Sequence, residues 1–333
     1  MVINIRPMEL EKESDEAALN RITKKMNAIL DSNDKDVPVI GILTKATAEE
    51  NCYYPPHKEI LEPKYLFLLQ DAIVVPISLY TPPEKMREEL LKVNGLCLPG
   101  GASNVWVLND GYKQESDYTK AGQQLLKLAI ELNDEGIYFP VMGICLGFQM
   151  MTAVIGDSLD IVEFAYGSCD YNTVLNWTSE APNSKVWDCF SKEQRELLST
   201  KDLSFNYHFY KVDVEKFKQN QKLDAFFKIL STSPSKAREY EFISIIEGKH
   251  YPFYAFQHHP EWCYHDFYYP KMQVILSKVT EEIGNSIAKL FLDDARKNRN
   301  VYPNKKELKE RIVVNAPTAI NETKGYVHLL NGS

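Results

Sequence analysis

The stretch that decides the fold is Phe139-Pro-Val-Met-Gly-Ile-Cys-Leu-Gly-Phe-Gln149. An apolar segment of strand composition runs into Gly143-Ile-Cys-Leu-Gly147, and a helix-compatible run follows over residues 148–155. This is the pattern of a nucleophile elbow with sulfur in place of oxygen, because glycines on both sides permit a strained strand-to-helix turn. The helix amino terminus favours the thiolate of Cys145. A free cysteine is more commonly a buried structural residue, and it is the flanking glycines that make Cys145 the candidate nucleophile.

Short apolar runs of the kind that parallel sheets bury on both faces recur along the chain. They fall at 37–43, 72–77, 96–98 and 137–145, and helical patterns fill the gaps between them, for example over residues 121–132. After about residue 160 the pattern loosens into a polar region at 167–206. Strands are then predicted at 241–246 and 251–257, and a closing helix spans 283–295. The alternation predicts an α/β fold.

The chain divides into three parts on its polarity. Residues 1–36 are polar and acidic except for an amphipathic stretch at Leu19, Ile22, Met26 and Ile29, which predicts an appended helix outside the core. Residues 37–300 form the predicted catalytic domain. Residues 301–333 are predicted to be a polar, irregular extension.

Composition excludes several classes of protein. The chain has 333 residues, 44% of them hydrophobic and 25% charged, as in soluble globular domains. Its net charge of −8 disfavours a nucleic-acid partner, and no apolar run approaches the roughly 18 residues of a membrane span. Six cysteines without a CxxC pair imply neither a zinc ribbon nor a dense disulfide framework.

A thiolate needs a proton-shuttling partner, and Tyr254-Ala-Phe-Gln-His-His-Pro-Glu-Trp262 is the best source. In an extended chain, residues two apart point the same way, so Glu261 can orient the imidazole of His259. His258 then points to the opposite face and is predicted to be a packing or rim residue.

The same segment allows a metal site as an alternative. Five potential ligands fall within eight residues, but their spacing fits no zinc pattern, so no metal is expected. These are His258, His259, Glu261, Cys263 and His265.

A glycine turn, Leu98-Pro-Gly-Gly-Ala-Ser103, follows a predicted strand. In an open parallel sheet such turns line the ligand crevice, and bare backbone amides there can donate to a developing oxyanion. With the elbow and the His-Pro-Glu segment, this turn completes a set of nucleophile, base and oxyanion donors.

Together these features resemble the class I glutamine amidotransferase superfamily and, within it, the γ-glutamyl hydrolase family, over about residues 37–300. The resemblance also rests on Pro38-Val-Ile-Gly-Ile-Leu43, Ser116-Asp-Tyr118, Leu175-Asn-Trp-Thr178, Asn206-Tyr-His208 and Glu241-Phe-Ile-Ser244. It implies a three-layer sandwich with a mostly parallel central sheet, of the flavodoxin-like kind.

The resemblance also assigns site residues. Cys145 matches the family's nucleophile, His259 its catalytic histidine and Glu261 the third member. Gly101 and Leu146 match the positions whose N–H groups form the oxyanion hole.

The substrate-binding positions implied by the resemblance are His208, Gln149, Tyr54 and Gly100. For His208 the alternative is a buried, hydrogen-bonded histidine. The Pro-Pro after Tyr54 departs from the family. Gln149 stands where γ-glutamyl hydrolases usually carry glutamate and amidotransferases glutamine, and His258 replaces a tryptophan.

The implied activity is hydrolysis of γ-glutamyl bonds in folate or antifolate poly-γ-glutamates through a γ-glutamyl thioester, with no cofactor. Alternatives are a glutaminase that supplies ammonia to a partner synthetase, which Gln149 supports, and a non-catalytic γ-glutamyl binder. A cysteine-elbow ester hydrolase is disfavoured because its acidic member usually precedes the histidine. The implied partner is a small-molecule substrate, and a homodimer is left open.

The family's location is lysosomal, vacuolar or secreted. Asn176 matches a family glycosylation site, and Asn321 and Asn331 are further sequons. Residues 1–20 carry charges where a signal peptide would have its apolar core, so the cytoplasm stays open as an alternative.

Overall fold

The computed structural model describes residues 13–32, 34–46, 59–101, 103–265, 272–316, 318–321 and 325–330. The strands are β1 (Val39–Leu43), β2 (Lys45–Ala46), β3 (Glu59–Leu61), β4 (Ile73–Ile77), β5 (Gly95–Leu98), β6 (Trp106–Asn109), β7 (Tyr112–Glu115), β8 (Val141–Ile144), β9 (Val162–Phe164), β10 (Cys169–Thr173), β11 (Asn176–Trp177), β12 (Ser204–Tyr207), β13 (Tyr210–Val212), β14 (Phe227–Pro234), β15 (Glu241–Gly248), β16 (Phe253–Phe256), β17 (Thr318–Asn321) and β18 (Gly325–Leu330). The helices are α1 (Asp15–Ser32), α2 (Lys64–Leu68), α3 (Pro83–Leu91), α4 (Asp117–Asp134), α5 (Leu146–Ile155), α6 (Lys185–Cys189), α7 (Lys192–Thr200), α8 (Val214–Gln219), α9 (Gln221–Phe226), α10 (Lys278–Ala295) and α11 (Lys305–Arg311).

The central sheet has the strand order β11-β14-β15-β16-β8-β5-β1-β4. The five strands from β16 to β4 pair in parallel, whereas β11, β14 and β15 are antiparallel additions. Numbered among themselves, the parallel strands follow the flavodoxin-like order 2-1-3-4-5. All residues of β1, β5 and β8 are buried, which is why they appear in the sequence as continuous apolar runs. The predicted α/β fold is confirmed.

Helices cover both faces of this sheet. The connection from β1 to β4 and the connection from β4 to β5 cross the sheet in opposite directions. Because both crossovers are right-handed, α2 and α3 lie on opposite faces of the sheet. Helices α3, α4 and α5 pack side by side, while α10 packs against α2 and α6. The three-layer architecture is therefore present.

The first helix forms where it was predicted, but the expectation that it lies outside the core is wrong. Ala18, Ile22 and Met26 are fully buried in the main hydrophobic cluster. An amphipathic pattern shows that a helix has a face to bury, and here the body of the domain covers that face.

Residues after 300 are also more regular than expected. Helix α11 buries Leu308, and Val313 is buried just beyond it. Strands β17 and β18 then join β3 and β2 in a second sheet of order β17-β18-β3-β2. The domain boundaries at 36 and 300 stay a prediction.

The polar region at 167–206 contains strands that the sequence pattern did not indicate. β10 pairs antiparallel with β12. The strands that flank the region, β9 and β13, pair with each other outside the main sheet. β14, in the main sheet, was not predicted either. Within the described part of the chain, no helix is both long and apolar enough to cross a bilayer.

Candidate active site

Cys145 lies at the junction between β8 and α5, with a left-handed φ of 51°. Its N–H donates to the Phe256 carbonyl at 2.7 Å, which fixes the turn to the neighbouring strand. Glycine is required at 147, because a Cβ there would lie 2.0 Å from the Leu98 carbonyl oxygen. The sequence prediction of a cysteine at a strand-to-helix turn is confirmed by this geometry.

Cys145 and His259 face the same backbone oxygen. The Tyr207 carbonyl lies 3.9 Å from Cys145 Sγ and 3.3 Å from His259 Nε2. Cys145 is 5% exposed and His259 is 6% exposed, so their interaction is poorly screened by water. The topology brings together a thiol and an imidazole that are 114 positions apart.

Glu261 completes a chain of contacts from the nucleophile. Its Oε1 lies 2.7 Å from His259 Nδ1, and the carboxylate is fully buried. The predicted contact is therefore present, but the predicted extended backbone is wrong. Residues Pro260–Cys263 form a 3-10 helix, and its tight turn brings the carboxylate under the ring.

The charges of Cys145, His259 and Glu261 stabilise one another. Burial lowers the pKa of His259, but the negative charges of Cys145 and Glu261 outweigh it and raise that pKa above its usual range. Burial raises the pKa of Glu261, but His259 and the Lys64 ammonium, 3.8 Å away, outweigh it and lower that pKa. The arrangement therefore favours an imidazolium held between two negative groups.

The alternative metal cluster is not assembled. His258 is a packing residue, as predicted: it is buried, its ring packs edge-on against Phe256, and burial, with the nearby His259, lowers its pKa to about 3. His265 bonds to Asp15 at 2.6 Å instead. Among the described residues, no three His, Cys, Asp or Glu side chains are placed to hold a metal ion.

The glycine turn after β5 lies against the nucleophile. A Cβ on Gly100 would be 3.0 Å from Cys145 Cβ. Gly100 donates its N–H to Tyr65 Oη at 2.7 Å, and its carbonyl accepts from Lys45 Nζ at 2.8 Å. Gly101 follows with a φ of 147°. These bonds occupy both backbone polar groups of Gly100 and fix the orientation of the next peptide.

Leu146 is the first residue of α5, so its N–H has no acceptor within the helix. It directly follows the nucleophile. Leu146 adjoins Cys145 in the chain, and Gly101 follows Gly100, which lies against Cys145. The role of Gly101 and Leu146 as oxyanion donors stays a proposal.

The structure buries two residues predicted to bind substrate. His208 Nδ1 lies 2.8 Å from the Tyr210 carbonyl, and burial, together with His259, lowers its pKa to about 3. Gln149 donates both N–H groups inside the protein, to the Tyr210 carbonyl at 2.8 Å and to Gln257 Oε1 at 3.1 Å. Both side chains bond to the Tyr210 carbonyl and so hold the segment that follows Tyr207.

The remaining predicted residues are the three sequons and Tyr54. Asn176 is exposed on edge strand β11 and donates to Glu241 at 2.9 Å. Asn321 is the last residue of β17. Tyr54 and Asn331 lie outside the described residues. The three sequons stay predictions.

No sequence pattern pointed to the backbone oxygen of Tyr207 or to two charged neighbours of the site. Lys45 follows β1, and Lys64 begins α2. Local spacing does not link either lysine to residues 100 or 261, because the sheet topology alone brings them there.

Comparison with known proteins finds a matching family, sequence relatives and a solved structure that superimposes on this chain. The sequence model described as Peptidase C26 matches residues 38–261. Gamma-glutamyl hydrolase of Homo sapiens is 30% identical over 286 residues, 83% of each chain. Gamma-glutamyl hydrolase B of Dictyostelium discoideum is 27% identical, over 84% of this chain and 78% of that one. A putative GMP synthase protein from Thermoplasma acidophilum superimposes with a TM-score of 0.45 at 16% identity, covering 82% of this chain and 98% of that one.

Proposed function

This chain belongs to the peptidase C26 family, whose curated relatives are γ-glutamyl hydrolases, and from that premise we propose that it hydrolyses folate and antifolate poly-γ-glutamates through a thioester on Cys145. The observation that carries the proposal is the contact chain from Cys145 through the Tyr207 carbonyl and His259 to Glu261. It provides a nucleophile, a proton carrier and a group that orients the carrier.

In the first half of the reaction, the Cys145 thiolate attacks the γ-carbonyl carbon of the substrate. The carbonyl oxygen becomes an oxyanion, and the N–H groups of Gly101 and Leu146 stabilise it. His259 gives its Nε2 proton to the leaving nitrogen, and the carbon–nitrogen bond breaks. The products are a free amine and a γ-glutamyl thioester.

In the second half, neutral His259 takes a proton from water, and the resulting hydroxide attacks the thioester carbon. The carbon–sulfur bond breaks and returns the thiolate, while the new acid leaves. Glu261 keeps the Nδ1 proton directed away from the reaction and stabilises each imidazolium that forms.

The direct test is cleavage of a defined pteroyl-γ-pentaglutamate, with products identified by mass spectrometry over time. We expect the wild type to shorten the chain, and Cys145→Ala to be slower by at least about 10³-fold. Cys189→Ala is the matched control, because that half-buried cysteine ends α6, remote from the elbow. Turnover by Cys145→Ala at the wild-type rate would refute the mechanism. The same products distinguish terminal from internal cleavage.

A glutaminase is tested in the same assay by offering free glutamine and measuring ammonia. Gln149 favoured that activity on sequence grounds, but its amide N–H groups are both used inside the protein. A non-catalytic binder is tested with iodoacetamide at neutral pH, since an activated Cys145 should be alkylated before the other cysteines. Selective labelling with no turnover of either substrate would contradict the proposed hydrolysis.

Location and assembly form a further part of the proposal. We propose passage through the secretory pathway to a lysosome, vacuole or the exterior, which exposed Asn176 supports as a glycan acceptor. Deglycosylation that shifts the mass of the natural protein tests this. Sedimentation of the purified protein tests a homodimer.

A further inference from the structure

Two short segments beside the active site show aromatic rings to solvent. Phe164 and Tyr166 are 50% and 79% exposed, and Tyr207 and Phe209 are 38% and 56% exposed. We call these four residues, together with half-buried Trp106 and Tyr210, the aromatic rim.

Both segments alternate as strands do, with small or polar residues buried between the rings. Ala165 separates Phe164 from Tyr166, and His208 separates Tyr207 from Phe209; both separating residues are buried. In an antiparallel pair with one solvated face, outward positions are normally polar. The register pairs Phe164 with Tyr210, so Phe164 and Tyr166 lie on one face of this pair and Phe209 lies on the other. Both faces expose aromatic rings, and this exposure needs a reason other than folding.

Four of the rings contact one another. Phe164 contacts Tyr166 and Tyr210 edge to face, with centroids 4.7 and 5.8 Å apart, and Trp106 meets Tyr210 at 5.5 Å. The Ala165 N–H donates to the Phe209 carbonyl at 2.8 Å and joins the two segments. Edge-to-face pairs leave ring faces open to a flat ligand.

One residue of the rim also reaches the catalytic group. Tyr207 contributes its side chain to the rim and its carbonyl oxygen to Cys145 Sγ and His259 Nε2. Tyr207 also contacts Phe209 edge to face at 6.3 Å. A ligand whose scissile bond lies at Cys145 therefore lies beside Tyr207, in the segment that the Ala165–Phe209 hydrogen bond joins to Phe164 and Tyr166.

We propose that the aromatic rim binds the pteridine and aminobenzoyl rings of the substrate by stacking, and so sets cleavage close to the aromatic head. This inference rests on the proposed hydrolysis of folate poly-γ-glutamates. A γ-glutamate tail is anionic and flexible and has no flat apolar surface, so it does not account for a row of rings. A fused heteroaromatic head accounts for the exposed rings, because stacking on aromatic side chains tolerates any flat ring system.

The experiment separates ring binding from hydrolysis. Folic acid has one glutamate and no γ bond to cut, so its binding, measured by calorimetry, reports recognition of the rings and the first glutamate without hydrolysis. We expect the double variant Phe164→Ala/Tyr166→Ala to weaken folic acid binding at least about tenfold. Phe164→Trp, which keeps a ring, should bind like the wild type. Equal binding by the wild type and the double variant, or none by the wild type, overturns the rim assignment.

Turnover is measured in parallel on two substrates. The double variant should lose at least about tenfold in kcat/KM on pteroyl-γ-triglutamate and keep its rate on tri-γ-glutamate without the head. Equal losses on both substrates overturn the assignment. Failure of the wild type to cleave either substrate refutes the proposed hydrolysis, while the folic acid result still decides the rim.

The matched control is Tyr80→Ala. Tyr80 is 49% exposed and follows β4, the third strand from β8 and so on the order of 14 Å across the sheet. It should leave binding and turnover of the head-bearing substrate unchanged. If the double variant instead converts a dimer to a monomer in sedimentation and leaves folic acid binding intact, the rim is an interface between copies and the proposal is wrong.

Discussion

The Nδ1 atom of His259 lies 2.7 Å from Oε1 of Glu261, so the ring turns its other nitrogen toward the nucleophile. Because Glu261 is fully buried, this carboxylate cannot exchange its partner for water. The contact fixes both the orientation of the imidazole and its charge.

Glu261→Gln tests that role. The amide preserves the shape but can present an N–H to Nδ1, which favours the wrong tautomer of His259. We expect kcat to fall by about 10² to 10⁴ with little change in KM. Steady-state kinetics on pteroyl-γ-pentaglutamate measures this, and a variant with wild-type kcat would show that Glu261 is only structural.

The pH profile should reflect the raised pKa of His259. Activity needs the imidazolium as proton donor, so it should persist above the ordinary histidine range and decline only as the pH rises through the raised value. Since Glu261 contributes to that increase, Glu261→Gln should move the alkaline limb to lower pH. Measuring kcat/KM against pH for both proteins tests this, and coincident alkaline limbs would contradict the assigned charge coupling.

Gly101→Ala tests the glycine turn. A Cβ at this position would lie 2.0 Å from Lys45 Nζ, and the φ of 147° is unfavourable for alanine. We expect the turn to shift, with kcat falling about 10-fold to 10³-fold while KM changes less. Circular dichroism and a urea titration separate this from unfolding. A folded variant with unchanged kcat would place the oxyanion donor elsewhere.

A stability prediction concerns Asp294 of α10, which accepts from Tyr138 at 2.7 Å and from Tyr254, Lys185 and Lys297. Burial raises its pKa, but these bonds outweigh that effect and lower it. Asp294→Asn should therefore cost about 1–3 kcal/mol in the free energy of unfolding at neutral pH.

The sign of the pH dependence follows from the lowered pKa. The carboxylate stabilises the fold above its unfolded pKa and loses that effect as the pH falls through the folded value, so the two proteins should converge in acid. Urea titrations at neutral and acidic pH measure this. The control is Asp293→Asn at the neighbouring, half-exposed carboxylate, whose ion pairs lie at the surface, and it should change little. A difference that does not depend on pH would contradict the prediction.

The elbow was predictable because its determinants are adjacent in sequence. Two glycines around Cys145 and a strand before it define the turn without any distant partner. Buried parallel strands were equally visible as continuous apolar runs, and the His259–Glu261 contact needed only a separation of two residues.

What could not be predicted depends on distant contacts or on backbone atoms. Every residue type has a backbone carbonyl, so nothing in the sequence marks the carbonyl of Tyr207 as part of the site. Lys45 reaches Gly100 across 55 positions. The short strands β9 and β13 carry aromatic residues outward, and their pattern does not resemble a half-buried strand with a polar outer face.

The second sheet has a consequence for how the enzyme matures during synthesis. Lys45, which holds the Gly100 carbonyl, lies on β2; β2 pairs with β3, and β3 pairs with β18 at residues 325–330. Contacts this far apart in sequence close late, after the intervening chain has left the ribosome. The strand that supports the glycine turn thus gains its full set of partners only when nearly all of this sequence has been translated. We therefore expect a nascent chain arrested before residue 325 to carry Cys145 and His259 but an incompletely supported glycine turn, and to hydrolyse the proposed substrate more slowly than the finished chain.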